Sequence, residues 1–150
     1  MADPGVGKRR LRQLSELKDV YDFLEEVRLR PGIWVRGSSL LHLHSLLTGY
    51  RIALGVHDVE ETFDFWNPGN HIPFNEWLWK RLGMPYSSAL GWAVEIERAA
   101  EKAGRPAMEL FFELLDEFRA AVHGARHEVE SQPGDHAPAE AEQPGPTVQN

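Results

Sequence analysis

The sequence predicts a mainly α-helical single domain of five helices, and two observations carry this prediction. Apolar residues recur every three or four positions in five separate segments, which is the spacing of a helix with one buried face. Proline and glycine fall at the ends of these segments, where they interrupt helical backbone. With 150 residues, of which 42% are hydrophobic, the chain can bury one core. We expect the domain to cover residues 14–124.

The first helix is predicted from Ser15 to Arg28. Ser15 is a suitable N-cap residue, and apolar side chains follow it at helical spacing as far as Val27. Pro31 comes soon afterwards, and the residue before a proline avoids helical backbone. The helix is therefore expected to end before this proline.

The second helix is predicted to begin after Gly37, with Ser38 or Ser39 as its N-cap, and it has the most regular apolar pattern in the chain. Its apolar face consists of Leu40, Leu43, Leu47, Tyr50 and Leu54. Gly49 lies inside this helix, where glycine costs ~1 kcal/mol relative to alanine. We expect a close neighbour, either another helix or the Trp34 segment, to account for this glycine.

The connection between these helices runs from Arg30 to Gly37 and reads Arg-Pro-Gly-Ile-Trp-Val-Arg-Gly. Its three central apolar residues predict that it docks on the body of the domain, with Trp34 folded inward. One short β pair remains an open alternative, in which residues 33–35 pair with residues 62–66.

Three more helices complete the predicted bundle, each bounded by proline, serine or glycine. They extend from Pro73 to Leu82, from Ser87 or Ser88 to Gly104, and from Pro106 to Gly124. Proline suits the first turn of a helix because the backbone N–H that it lacks has no partner there.

The two ends of the chain differ from the domain in composition. Residues 1–13 form a basic arm with four Lys or Arg residues, and we expect this arm to be flexible. Residues 125–150 form an acidic tail rich in proline, glutamate and alanine. This tail has too few large apolar residues to offset its chain entropy, so we predict that it is disordered.

Composition argues against several classes of function. The chain has no cysteine, and therefore no disulfide and no cysteine-ligated metal. Its net charge is −7, with 9 Lys and Arg against 6 Asp and Glu in residues 1–51 and 7 against 17 in residues 52–150. An acidic chain is a poor nucleic-acid binder, and no apolar run is long enough for a membrane span. We expect a cytoplasmic protein whose acidic half meets a basic protein partner.

No pattern of titratable residues predicts an enzyme, a metal site or a cofactor. His42 and His44 lie about 200° apart around a helix, so they cannot both ligate one metal ion. The carboxylates of Glu60, Glu61 and Asp64 fall in a polar connection, and we expect them to be solvated.

Two tryptophans are the first candidate binding residues. Trp79 lies about 200° from Trp77 on the third predicted helix. Since Trp77 falls on the apolar face, we expect Trp79 to face outward. Trp66 lies beside a turn of sequence Asn-Pro-Gly-Asn. Exposed tryptophans commonly anchor protein interfaces, so both residues are predicted contact points.

A second set of candidates is basic. Arg28, Arg30 and Arg36 flank the turn at Pro31, and Arg81 lies in the last turn of the third predicted helix. Together they would line a pocket for an anion or another small molecule. Ordinary ion pairs with nearby carboxylates are the alternative, and no Gly-rich phosphate loop accompanies these arginines.

Residues 27–34, Val-Arg-Leu-Arg-Pro-Gly-Ile-Trp, resemble the N-terminal motif of the ATPase domain of DNA gyrase B. In that family the ATP site requires an acidic residue and an asparagine on the next helix, followed by an Asp-x-Gly-x-Gly segment. Residues 40–54 contain neither residue, and no such segment follows them. ATP binding is therefore not expected.

Over residues 20–120 the chain resembles small helical bacterial proteins, common in actinomycetes, that are functionally uncharacterised. The shared motifs are the Arg-Pro-Gly-apolar-aromatic turn at 30–34, Gly-Tyr at 49–50, aromatic-x-x-Trp-Leu-x-x-Arg-Leu-Gly at 74–83 and Phe-Phe-x-Leu-Leu-Asp-Glu-Phe at 111–118. More generally, the chain is similar to small bacterial immunity or accessory proteins. These resemblances imply a helical fold and supply no catalytic residue.

The function predicted from the sequence is that of a non-enzymatic protein-interaction module. Its sharpest form is an immunity-type inhibitor that neutralises a basic protein partner, with the acidic half steering the encounter and Trp79 or Trp66 anchoring the contact. The alternative is a small-molecule or anion-binding domain that uses the Arg30–Gly37 turn and Arg81. An enzyme would need convergent titratable groups, which this order of residues does not supply.

Overall fold

The structure is a computed structural model that describes residues 10–66, 69 and 72–130, with the side chains of residues 125–130 excepted. Within these residues the chain is mainly helical, which confirms the predicted fold class. The helices are α1 (Val20–Leu29), α2 (Pro31–Trp34), α3 (Leu40–Val56), α4 (Phe74–Arg81), α5 (Trp92–Ala103) and α6 (Ala107–Glu130). Short 3-10 turns cover Leu14–Glu16 and Arg36–Ser38. Five of the six helices are long, as the periodicity predicts.

Helix α1 begins later than predicted because Asp19, and not Ser15, is its N-cap. The Asp19 carboxylate accepts a hydrogen bond from the backbone N–H of Asp22 at 2.9 Å. This bond satisfies one of the N–H groups that the first turn of a helix leaves without a partner. Ser15 instead lies in the 3-10 turn before the helix.

The Pro31 connection is helical, so the predicted β pair is wrong for the described residues. Pro31 opens α2, where its fixed backbone angle suits a first helical position. The turn closes with a hydrogen bond from the Val35 N–H to the Pro31 carbonyl at 2.8 Å. Residues 62–66 contain one isolated bridge residue, Phe63, followed by a turn.

This connection docks on the domain through two of its three apolar side chains. Val35 is buried, and Trp34 is half-buried with its ring edge-on to Phe23, 5.5 Å between ring centres. Ile33 is 59% exposed, contrary to expectation. The inward orientation predicted for Trp34 is therefore only partly realised.

The core is a cluster of aromatic rings beneath α6. Helix α6 contacts α1, α4 and α5, and α5 in turn contacts α3. Trp92 stacks on Phe111 at 5.1 Å, and Phe74 meets Phe118 edge-on at 5.5 Å. Rings in these arrangements gain energy beyond the area that they bury.

Glycines end α4 and α5, where the backbone turns left-handed. Gly83 has φ +68° and Gly104 has φ +65°, a conformation that costs glycine little because it has no Cβ. Helix α6 continues to Glu130, six residues past its predicted end at Gly124. Residues 1–9 of the predicted basic arm and residues 131–150 of the predicted tail lie outside the described residues.

The N-terminus of α3 is held by a neighbouring helix. Ser39, one of the two predicted cap residues, is its N-cap residue, but the Ser39 side chain accepts no cap hydrogen bond, and Ser38 lies in the preceding 3-10 turn. The Glu97 carboxylate on α5 accepts the Leu40 N–H at 3.0 Å instead. A carboxylate is well placed at the positive end of a helix dipole, so this contact fixes α3 against α5.

Candidate functional site

Two clefts flank α3 on opposite sides. The first, here called the apolar groove, has a volume of about 540 Å³. Its walls come from the first 3-10 turn and the connection to α1, from α1, α2 and α3. They consist of Leu14, Leu17, Lys18, Asp19, Phe23, Trp34, Ser45, Leu46, Gly49 and Tyr50. Leucine and aromatic side chains dominate this set, so the groove offers a chiefly apolar surface to a binding partner.

The groove leaves apolar side chains in contact with solvent. Leu14 is 66% exposed and Leu46 is 39% exposed, so neither belongs to the buried core. Each would gain about 25 cal/mol for every Å² of apolar surface removed from water by a bound partner. Folding leaves this apolar surface exposed, so covering it with a partner would favour binding.

Trp34 contributes a buried donor to the groove wall. Its indole Nε1 is shielded from solvent and has no hydrogen-bond acceptor among the described residues. Leaving such a group without a partner costs about 1–3 kcal/mol. A partner that shifts this ring and brings an acceptor to it would recover that cost.

Gly49 faces the groove, and its surroundings differ from the prediction. A Cβ added to Gly49 would meet no atom of the described structure within 4 Å. The expectation that another helix or the Trp34 segment packs closely against it is therefore wrong. The glycine leaves space in the groove, where a side chain would narrow it.

The second cleft, here called the aromatic cleft, has a volume of about 430 Å³. It lies between α3, the turn at residues 64–66, α4 and the connection into α5. It is lined by His44, Leu47, Thr48, Arg51, Phe65, Trp66, Asn75, Trp79, Ser87, Ser88, Gly91 and Trp92. His44, Thr48 and Arg51 follow one another at spacings of four and three, so they form one row along α3.

The structure brings the two predicted contact tryptophans into this aromatic cleft. Trp79 is only 8% exposed, so the prediction that it faces outward is wrong. Trp77, which was expected to be buried, is half-buried and packs on Phe74 and Phe118. Trp77 and Trp79 both lie on the short helix α4. Both sides of α4 are covered, because α6 packs on one side and the cleft residues lie on the other. Trp66 is half-buried.

The predicted cluster of arginines is not formed. Arg81 donates to Glu117 on α6 at 2.7 Å, and Arg28 donates to Asp116 at 2.7 Å. Ordinary ion pairing, the alternative considered for these arginines, is therefore what the structure contains at both positions. Arg30 and Arg36 are exposed, and neither forms an ion pair with a described residue.

A third cavity lies beside the Pro31 turn, and its charges do not suit an anion. Its volume is about 530 Å³, and Arg28 is its basic residue. Glu109 and Glu113 also line it, and Arg30, Arg36 and Arg81 do not. Two carboxylates against one already paired guanidinium would repel a bound anion.

Of the three acidic residues expected to be solvated between α3 and α4, Glu60 is exposed, whereas Glu61 and Asp64 have structural roles. The Tyr21 hydroxyl donates to the buried Asp64 carboxylate, and the Tyr50 hydroxyl donates to Glu61 at 2.6 Å. Glu61 also accepts the backbone N–H of Val20 at 2.7 Å. Burial, reinforced by these carboxylates, raises the pKa of both tyrosines above the ordinary value. The tyrosines thus stay protonated and join the connection to α1 and α3.

Three carboxylates of α6 form ion pairs with arginines of the described chain. Besides Asp116 and Glu117, Glu113 accepts a hydrogen bond from Arg105 at 2.5 Å. This bond holds the pKa of Glu113 below its ordinary value. The acidic half therefore has less free charge for a basic partner than its composition suggests.

The histidines do not meet in a common site. His42 and His44 are both exposed, and the His44 ring lies edge-on to Trp92 at 5.6 Å. Among the described residues no group of three His, Asp or Glu side chains has an arrangement that could hold a metal ion. Over the same part of the chain, no helix is long and apolar enough to cross a membrane.

The groove leucines are the main candidate binding residues that the sequence analysis missed. A signal was present in α3, whose 17 residues include no Asp or Glu and carry apolar side chains beyond the predicted face. Leu41, Leu46, Ile52 and Val56 of this helix are all at least 39% exposed. Such an excess of exposed apolar side chains indicates that the apolar surface of this helix has a function beyond packing in the core.

Comparison with known proteins leaves the chain without a relative that identifies it. No family model, no curated protein and no solved structure matches it. The argument for function therefore rests on the two clefts around α3.

Proposed function

We propose that the protein is a non-enzymatic protein-interaction module that binds an apolar segment of a protein partner in the apolar groove. The observation that carries this proposal is the exposure of Leu14 and Leu46 on the walls of an open cavity of about 540 Å³. Aromatic side chains at its base, Phe23, Trp34 and Tyr50, give the groove the rigid walls that protein-binding sites favour.

A protein segment suits this surface better than a small molecule does. Helix α3 is about 25 Å long, and its outer side carries the exposed side chains of Leu41, Ile52 and Val56 in addition to the groove. A stable protein interface covers roughly 800 Å² on each partner. A partner that lies along α3 could approach that area, whereas a small molecule in the groove would leave the outer side bare.

The charge of the chain favours a basic partner. With a net charge of −7, the protein would attract a positively charged protein, which would raise the rate of encounter. Three carboxylates of α6 are already paired with arginines elsewhere in the chain. Charge would therefore mainly steer the encounter, and apolar contacts would supply the affinity. An immunity-type inhibitor that neutralises a basic partner remains the sharpest form of the proposal.

Groove leucines replace the tryptophans as the proposed anchors. Trp79 is nearly buried, so Trp79→Ala would disturb the core and would not test an interface. Leu46 is exposed on the outer surface of a helix and can be changed with little effect on folding. The small-molecule alternative at the Arg30–Gly37 turn has less support, because Arg81 is paired elsewhere and carboxylates line the nearby cavity.

The test is quantitative affinity capture of the partner from the native host with three proteins. Wild type and Leu90→Glu are expected to retain the partner, and Leu46→Glu is expected to lose it. Leu90 is a matched control because it is 57% exposed and lies outside the groove. Equal recovery with Leu46→Glu, or no stoichiometric protein partner with wild type, would refute the proposal. The inhibitor form also predicts that the partner is toxic when it is expressed alone.

A further inference from the structure

The aromatic cleft differs from the apolar groove in the chemistry of its walls. Trp79 and Trp92 form a nearly buried interior, with 8% and 7% of their surfaces exposed. Phe65 meets Trp92 edge-on at 5.1 Å, and Trp66 lies nearer the surface. Ring faces and edges in this arrangement suit a flat aromatic molecule, since aromatic rings prefer offset-stacked and edge-to-face contacts.

Four polar side chains around the cleft have unused hydrogen-bonding capacity. His44 and Arg51 project from α3, Asn75 comes from α4, and Ser87 comes from the connection between α4 and α5. None of these four side chains forms a hydrogen bond or an ion pair with another residue of the described structure. Small-molecule sites typically combine mostly apolar walls with a few such polar groups, in volumes of about 300–1,000 Å³. The cleft, at about 430 Å³, lies within that range.

The charge of the cleft is positive, unlike that of the chain as a whole. Among its lining residues that the structure describes, twelve in number, are Arg51 and no Asp or Glu. The arginines at positions 28, 81 and 105 are all bound to carboxylates, whereas Arg51 has no carboxylate partner among the described residues. A guanidinium can form two parallel hydrogen bonds to a carboxylate, so Arg51 is suited to an acidic ligand.

We propose that the aromatic cleft binds a planar aromatic molecule that carries one carboxylate. The ring system lies among Trp66, Trp79 and Trp92, and the carboxylate is bound by Arg51 at the α3 side. His44 and Asn75 supply further donors to polar atoms at the ligand edge. This site is independent of the protein-binding groove, since the two clefts share no lining residue.

The experiment is isothermal titration calorimetry with 1-naphthoate, 2-naphthoate and indole-3-carboxylate, each compared with its uncharged amide. We expect at least one carboxylate to bind and its amide to bind about tenfold more weakly, because the amide cannot pair with a guanidinium. Arg51→Gln should lower carboxylate affinity about tenfold and leave the amide unchanged. Since Arg51 is exposed and has no ion pair with a described residue, the variant should fold normally, which its circular dichroism spectrum checks.

Lys102→Gln is the matched control, because Lys102 is also exposed, lacks an ion pair with any described residue and lies outside the cleft. It should bind the carboxylates as wild type does. Absence of binding by all three carboxylates, equal binding of acid and amide, or equal losses in both variants would overturn the proposal. Leu46→Glu should keep carboxylate binding, and Arg51→Gln should keep the protein partner, so the two proposals can fail separately.

Discussion

Helices α3 and α6 are the two longest helices of the described chain, and they present opposite kinds of surface. On α6 six large apolar side chains are buried and Leu110 and Val122 are partly buried, and the outer carboxylates Glu113, Asp116 and Glu117 bind arginines from elsewhere in the domain. On α3 there is no Asp or Glu, and Leu41, Leu46, Ile52 and Val56 remain exposed.

This difference separates the part of the molecule that stabilises the fold from the part that is available for binding. Three carboxylates on the outer face of α6 are already paired with arginines of the chain, so these three have less charge to offer a partner. Helix α3 contributes three residues to the buried core and lies between two clefts. The predictions below test whether stability depends on the α6 side while binding depends on α3.

The largest effect is expected from Phe111→Ala. Phe111 is fully buried and contacts Trp92, Phe74 and Phe112. Its truncation leaves a cavity and should lower the free energy of unfolding by about 4 kcal/mol, measured by urea denaturation. The control Ile52→Ala, on the exposed side of α3, should change it by no more than about 0.5 kcal/mol. Similar losses in both variants would remove the distinction between the two helices.

A smaller loss is expected from Arg12→Ala. The Arg12 Nε donates to the buried carboxylate of Glu26 at 2.8 Å, and the second oxygen of that carboxylate has no partner among the described residues. Removing the guanidinium leaves a buried charge without compensation, which is destabilising. Arg10→Ala, which removes a pair with the exposed Glu16, is the control. We expect the melting temperature to fall clearly for Arg12→Ala and hardly at all for Arg10→Ala; equal shifts would contradict this.

Gly49→Ala should separate stability from binding. A Cβ at Gly49 meets open space in a helix, so alanine should raise the free energy of unfolding by up to about 1 kcal/mol. The same methyl group enters the groove and should weaken partner capture. Gly55→Ala, also on α3 with open space but outside the groove, should leave capture unchanged. Unchanged capture by both variants would mean that the partner does not enter the groove at Gly49.

The smallest effect on stability is expected from lowering the pH. A hydrogen bond from the Lys18 backbone N–H, with help from Arg12, holds the pKa of Asp22 below its ordinary value. Because the pKa is lower in the folded state than in the unfolded state, Asp22 stabilises the fold at neutral pH, and this contribution disappears as the pH falls through the folded-state pKa. The melting temperature should therefore fall toward low pH, and less steeply for Asp22→Asn. If the melting temperature of the variant falls with pH as steeply as that of wild type, Asp22 does not contribute to the loss of stability in acid.

The helices could be predicted from the sequence because their signals are local. The periodicity of α3, α5 and α6 and the glycines after α4 and α5 identify them without knowledge of the fold. The start of α1 was missed because Ser15 and Asp19 are both good caps, and only the folded chain selects Asp19. The roles of Glu61 and Asp64 depend on tyrosines about 10 and 40 residues away, which no local pattern reveals.

The candidate site was harder to predict, because it depends on how the helices pack. Trp79 and Trp66 were identified as binding residues, but their shared position in one cleft requires α4 to pack next to α3. The groove brings Leu14 and Leu46 together from segments 32 positions apart. The sequence draws attention to Gly49 because glycine lowers helix stability, but only the structure places it beside open space.

The most direct test of the central claim is methyl NMR spectroscopy of the selectively labelled protein with its captured partner. If α3 is the binding surface, the methyl resonances of Leu14, Leu17 and Leu46 should shift on addition of the partner. Those of Leu90 and Val122, which lie outside the groove, should stay in place. Shifts confined to Leu90, Val122 and the α6 side, with the groove leucines unmoved, would contradict the account.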